Sequence, residues 1–274
     1  MKGQIIKQVS NLYTVKIGDM LYGCSSCGKF RKMNVTPMVG DYVIIDDKNN
    51  VIKEVLPRKN ELKRPVIANV DKCIIVTSTF IPKLDLNLLD RLLSIVIFNN
   101  IEPIICFTKT DLIDDELKNK VENIRLYYNM IGIKALYNTD TIELKNLIDN
   151  SIVVLAGQTG AGKSSLINRL DLEHNVLVGD VSYKLGRGKH TTRHVELYEL
   201  GSGYIADTPG FSKVSFTGME KEDLKFTFPE FDKECKFRDC LHNKEIGCKV
   251  KEAVENKEIL QSRYDNYLTF LEEL

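Results

Sequence analysis

A multidomain α/β chain is expected: a small β-barrel first, a parallel sheet covered by helices next, and a helical metal-binding segment last. Three observations carry that expectation. Short β-type runs crowd residues 1–64, apolar strands alternate with helical patterns from residue 71 onward, and thiols cluster near residue 240. At 274 residues, 43% apolar and 28% charged, the chain can bury the core of one large domain or of two to three small ones.

The barrel segment has β-type runs at 5–9, 12–17, 42–46 and 51–55, separated by turn residues such as Gly18-Asp19 and Asp47-Lys48-Asn49-Asn50. Pro57 and Pro65 mark a linker, which places a first domain at 1–64. Apolar or β-branched runs at 73–79, 103–108, 133–137 and 151–156 alternate with helical patterns at 87–98, 115–130 and 163–170. That alternation describes a parallel sheet covered on both faces and defines a second domain at 65–218. The third, 219–274, has no Gly or Pro after Gly247, so roughly the last 25 residues are expected to run as one long helix.

Formal charge is balanced overall at 38 basic and 38 acidic side chains, but not along the chain. Residues 1–64 carry +6, 65–218 carry −2 and 219–274 carry −4. A basic end on a neutral protein suggests one face meant for phosphates. The N-terminus lacks a signal-peptide stretch, and no apolar run reaches the ~18–20 residues of a membrane span, so a cytoplasmic protein without membrane contact is expected.

Gly157-Gln158-Thr159-Gly160-Ala161-Gly162-Lys163-Ser164 fits the phosphate-loop pattern G-x-x-x-x-G-K-[ST], after a strand and opening a helix that continues with Ser165. Its glycines let backbone N–H groups close round a β-phosphate at the helix's positive end. Lys163 would neutralise β- and γ-phosphates, and the Ser164 hydroxyl would hold Mg²⁺. Asp207-Thr208-Pro209-Gly210 matches the D-x-x-G element, in which Asp207 would grip Mg²⁺ through water and the Gly210 N–H would sense the γ-phosphate. Thr108-Lys109-Thr110-Asp111 is similar to the guanine element N-K-x-D. Asp111 would accept guanine N1–H and N2–H, and the Lys109 stem would lie along the base. Thr108 stands where the pattern has Asn, and the contact near the base edge is left open. The base element precedes the phosphate loop, the reverse of the usual order.

Cys235, Cys240, His242 and Cys248 gather three thiols and an imidazole within 14 residues, a Cys₃His set suited to one closed, structural Zn²⁺ site. Cys24 and Cys27 have no second pair nearby and read as an ordinary loop, an extra metal site or a redox site. Cys73 and Cys106, inside apolar strands, read as core.

With these motifs in place the chain resembles the circularly permuted, ribosome small-subunit-dependent GTPases of the RsgA/YjeQ type. Val39-Gly40-Asp41, Ala68-Asn69-Val70-Asp71 and Gly186-Arg187-Gly188-Lys189-His190-Thr191-Thr192 extend the likeness nearly end to end, and the cysteine cluster completes it. The resemblance implies an OB-fold barrel, a circularly permuted P-loop GTPase domain and a zinc-binding domain. It also implies binding to the small ribosomal subunit and its rRNA and a role in late maturation of that subunit.

Residues 186–194 lie where a first switch belongs. Thr191 or Thr192, which sequence does not separate, would complete Mg²⁺ coordination once GTP is bound. Phe211 follows D-x-x-G where Ras-type enzymes place a water-orienting glutamine, so the isolated protein is expected to hydrolyse GTP to GDP and phosphate slowly. His190 is the nearest internal replacement or, alternatively, an RNA contact. Lys29, Phe30, Arg31 and Lys32 form a basic-aromatic cluster suited to RNA. The terminal helix is a second contact or a packing strut. The whole reads as a monomeric GTP-hydrolysing assembly factor, bound with GTP and released on hydrolysis. Two rivals remain: an ATP-dependent phosphotransferase on the same loop, and a non-catalytic RNA-binding zinc protein with a structural nucleotide.

Overall fold

The structure is a computed structural model that describes residues 1–28, 30, 35–63, 65–171, 195–207 and 215–274. The strands of its first part are β1 (Lys2–Val9), β2 (Leu12–Ile17), β3 (Met20–Ser26), β4 (Tyr42–Asp46), β5 (Val51–Val55), β6 (Glu61–Lys63), β7 (Val66–Ala68) and β8 (Lys72–Ser78). Then come α1 (Leu86–Phe98), β9 (Glu102–Thr108), α2 (Asp115–Met130), β10 (Lys134–Tyr137), α3 (Thr141–Ile148), β11 (Ile152–Ala156) and α4 (Lys163–Asp171). Strands β12 (Glu196–Leu200) and β13 (Gly203–Asp207) precede α5 (Lys221–Leu224), α6 (Lys249–Glu255) and α7 (Gln261–Glu273). No helix among the described residues is long and apolar enough to cross a membrane.

Two compact units result, one drawn from residues 1–73, 139–155 and 163–211, the other from 74–138, 156–162 and 212–274. In the first, β1 pairs with β2, β2 with β3, β3 with β5, β5 with β4, and β4 back with β1. The five strands therefore close into a barrel of OB-fold type. Alternate residues face inward, as the period of two requires: Tyr13 and Val15 of β2, Val43 and Ile45 of β4 are all buried. Sequence reading missed β3, whose Gly23 and paired Ser25-Ser26 look like turn residues; ladder bonds to β2 hold it.

The Val39-Gly40-Asp41 and Ala68-Asn69-Val70-Asp71 motifs meet at the foot of the barrel. Gly40 has φ +91°, and a Cβ there would lie 2.0 Å from the Ala68 carbonyl oxygen, so only glycine fits. Asn69 donates its side-chain amide to the Gly40 carbonyl at 3.0 Å. Asp41, fully buried, takes a fork of two bonds from Arg58, Nε at 2.7 Å and Nη2 at 2.8 Å. The stretch expected to be a plain linker thus carries a hairpin, with β6 antiparallel to β7 and Ile67 wholly buried. Still within this unit, β13 runs parallel to β11 with Ala206 opposite Val154, and β12 pairs antiparallel with β13.

The second unit holds β8, β9 and β10 as neighbours, with β9 and β10 parallel. Asp85 and Asp114 start α1 and α2 by accepting hydrogen bonds from Leu88 N and Leu117 N, as N-caps do. The apolar face of the 87–98 pattern is interrupted by Asp90, which is buried and takes bonds from Arg263 at 2.7 Å, Tyr128 at 2.5 Å and Asn266 at 2.6 Å. A C-terminal core forms from Phe228, Phe231, Tyr267 and Phe270, among others.

The single long terminal helix expected from sequence is two helices. Asn256 caps α6, Lys257 takes the left-handed conformation at φ +62°, and Glu258 N returns to the Ala253 carbonyl. Buried Ile259 then anchors the connection, so hydrophobic burial breaks a helix that lacks any Gly or Pro.

Candidate nucleotide site and metal centre

Strand β11 is buried along its whole length and runs straight into the glycine loop. Gly157 leaves it at φ +126°, where a Cβ would sit 2.1 Å from the Val76 carbonyl oxygen of β8. The turn closes with Ala161 N donating to Gln158 O at 3.2 Å. Lys163 then opens α4, with Ser164 and Ser165 exposed on its first turn. A helix N-terminus behind a glycine loop offers backbone N–H groups and the positive dipole end to an anion.

The 108–111 element sits against that loop. The Thr108 hydroxyl donates to the Ala161 carbonyl at 2.6 Å. Lys109, in the left-handed region at φ +62°, donates its ammonium to the Gly160 carbonyl at 2.7 Å and to the Ile81 carbonyl. Its charge is thereby moored at the loop, and its stem spans the distance from the turn. Thr110 and Asp111 form the single 3₁₀ turn that follows, with Asp111 exposed. An exposed carboxylate can accept two N–H donors from one base edge.

On β13 the backbone of Asp207 lies one residue past the Ala206–Val154 pair, at the end of β11 from which the glycine loop departs. The donor set named for the cation, a hydroxyl and a carboxylate, is the hard-oxygen chemistry that Mg²⁺ takes. Gly210, Phe211 and the switch residues His190, Thr191 and Thr192 lie outside the described residues, as do Lys29, Arg31 and Lys32. Phe30 is 5% exposed, so its ring is buried and not offered to a base. Cys24 points into the barrel core, and Cys73 and Cys106 are core residues of their strands.

Cys235, Cys240, His242 and Cys248 come together, with all four ligand atoms within 4.8 Å of one another. Cys235 Sγ and Cys248 Sγ are 3.9 Å apart, and His242 Nδ1 lies 3.5 and 3.4 Å from them. Tetrahedral bonds of about 2.3 Å from one centre put sulfurs about 3.8 Å apart. The cluster can hold a metal. Burial pushes the Cys240 thiol up to about 12 and raises that of Cys248, so a cation is what would stabilise thiolates here. Backbone amides help: His242 N donates to Cys240 Sγ and Lys249 N to Cys235 Sγ. From α7, Tyr264 and Tyr267 donate to the His242 and Leu241 carbonyls at 2.8 and 2.7 Å.

Sequence reading missed the groups that brace these sites. Thr79 fixes the Thr108 carbonyl through its amide and its hydroxyl. Arg263, 1% exposed, bonds both Asp90 and Glu230. One signal was available: an aspartate at 90 inside an apolar helical face asks for a buried partner.

Two family models match the chain, the RsgA N-terminal domain over residues 2–52 and the RsgA GTPase over residues 55–217. A protein of Oceanobacillus iheyensis described as small ribosomal subunit biogenesis GTPase RsgA 2 is 47% identical over 287 aligned positions, covering 100% of this chain and 97% of that one. The corresponding RsgA of Clostridium botulinum is 45% identical over 285 positions, with the same coverage of both chains. Among solved structures, YjeQ from Thermotoga maritima matches with a TM-score of 0.86 at 35% identity over 100% of this chain and 98% of that one. YloQ, described as a circularly permuted GTPase, matches at 0.84 and 40% identity over 99% and 94%. By likeness along its whole length, this chain belongs to the RsgA GTPase family.

Proposed function

We propose that this protein hydrolyses GTP as a factor in the biogenesis of the small ribosomal subunit, acting in late maturation and leaving the subunit once hydrolysis has occurred. The observation that carries this reading is the pair of bonds from Thr108 and Lys109 to the carbonyls of Ala161 and Gly160. They unite a guanine-type element with a phosphate loop some fifty residues later in the chain, and an ATP-specific phosphotransferase has no use for that element.

In this reading the amides of residues 157–162 and Lys163 hold the phosphates, with Gln158, Thr159 and Ser165 lining the loop and helix start. Ser164, Asp207 and either Thr191 or Thr192 hold Mg²⁺, which when bound neutralises phosphate charge. Asp111 reads guanine, and Gly210 senses the γ-phosphate. Cys235, Cys240, His242 and Cys248 hold one structural Zn²⁺ that fixes the loop carrying them. The domains are 1–64, 65–218 and 219–274; the first and last meet rRNA, and the protein works as a monomer in the cytoplasm. Phe211 offers no hydrogen bond to an attacking water, so the subunit completes the site, with His190 the internal candidate.

Phosphate release from GTP, measured with and without purified small ribosomal subunits, tests the proposal. Stimulation by more than about tenfold is expected, well inside what completing such a site can supply. Equal rates, or equal use of ATP, would overturn it.

A further inference from the structure

The position that departs from the guanine pattern is the most firmly held residue of the element. Thr108 is 3% exposed. Its carbonyl accepts from Thr79 N at 3.1 Å and from the Thr79 hydroxyl at 2.9 Å. Its own hydroxyl donates to Ala161 O at 2.6 Å; the other acceptor in reach among the described residues, Thr77 O, is at 3.4 Å. Its side chain packs under Gly162, where an added Cβ would lie 3.6–3.7 Å from Oγ1, Cβ and Cγ2.

A hydroxyl has one proton, and here the glycine loop takes it. What the hydroxyl still offers is lone pairs, and the N7/O6 edge of guanine presents only acceptors. Asn at this position would bring two N–H donors, one for the loop and one to spare. We infer that Thr108 is a positioning residue that ties the base-reading turn to the phosphate loop. The N7 of guanine then goes unread at this position, and base selectivity rests on Asp111 and the opposite edge. The inference deepens the proposed function and depends on Asp111 reading guanine.

Competition binding with the whole chain and three nucleotides separates the two ideas. 7-Deaza-GTP replaces N7 by a carbon; ITP lacks the 2-amino group. In the native chain 7-deaza-GTP is expected within about twofold of GTP, and ITP weaker by about tenfold or more, the loss of one hydrogen bond to a charged group. Thr108→Val is expected to weaken GTP and 7-deaza-GTP by the same factor, on the order of tenfold, and Thr108→Ser to restore both. A native chain that binds 7-deaza-GTP more than about fivefold weaker than GTP would overturn the inference, as would a change in their ratio in Thr108→Val. ITP binding as tightly as GTP would instead remove the guanine reading on which it rests. The native-chain comparison needs no variant and stands even if Thr108→Val fails to fold.

Discussion

At Gly157 a single methyl group would meet the Val76 carbonyl and a backbone angle that L-residues avoid, so two independent penalties coincide. Gly157→Ala is expected to destabilise the protein by about 2–4 kcal/mol and abolish nucleotide binding, measurable by denaturant unfolding and by fluorescent-nucleotide titration. Asp111 is exposed, so its replacement tests chemistry with little effect on folding. Asp111→Asn loses a charge-assisted pair of bonds, and GTP affinity should fall on the order of 100-fold. The new amide N–H matches the C2 carbonyl of xanthine, so xanthosine triphosphate should compete better than GTP; unchanged base preference would exclude Asp111 as the reader. Glu122 supplies a pH test. Hydrogen bonds from Arg125 and Tyr137 hold its carboxyl down at about 2, against an ordinary 4.5. A lowered carboxylate stabilises the fold above pH 4.5 and loses that contribution as pH falls toward 2. Glu122→Gln should flatten the acid limb in that window, by less than about 1 kcal/mol because the pair is partly exposed.

Helices α1 and α7 show how elements are locked. Asp90 of α1 and Glu230 both bond Arg263 of α7, with Arg263 also over the Phe228 ring at 4.3 Å. Burial alone would lower the guanidinium's affinity for its proton, but the two carboxylates outweigh it and keep the charge. Arg263→Ala would leave carboxylates buried without a counter-charge and is expected to cost about 3–5 kcal/mol in chemical unfolding. A change below about 1 kcal/mol would mean the pair contributes little. The same helix grips the thiol loop through Tyr264 and Tyr267. Because the chain has no tryptophan, its near-UV signal belongs largely to tyrosine. Chelation should therefore diminish that signal and lower the melting temperature, and Cys240→Ser should do the same without chelator. A protein unmoved by chelator, and free of zinc by elemental analysis, would show that the four ligands hold no ion.

Over the whole chain, formal charge is unevenly distributed. The +6 of residues 1–64 includes Lys29, Arg31 and Lys32, which lie outside the described residues. Replacing these three by Ser should weaken binding to small ribosomal subunits and lower the slope of log affinity against log salt by about 0.7–0.9 for each phosphate left without its cation. An unaltered slope would move the RNA contact off the barrel. The chain order has a matching feature: the 108–111 element precedes the glycine loop of residues 157–162, to which it is bonded within one compact unit.

What residue order determined by itself is whatever depends on short spacing. The glycine loop after an apolar strand, the three thiols and one imidazole gathered within 14 residues and the alternation of strands and helices are legible because each is built from neighbours in sequence. Tertiary structure alone decided the rest. Thr108 meets Ala161 across 53 residues, and Asp90 meets Arg263 across 173. Strand β3 was hidden because ladder bonds supply what its composition does not. The break between α6 and α7 was hidden because burial of Ile259, not a Gly or Pro, makes it. Those outcomes rest on which distant groups can satisfy one another's hydrogen bonds and buried surface, and spacing along the chain carries no record of that.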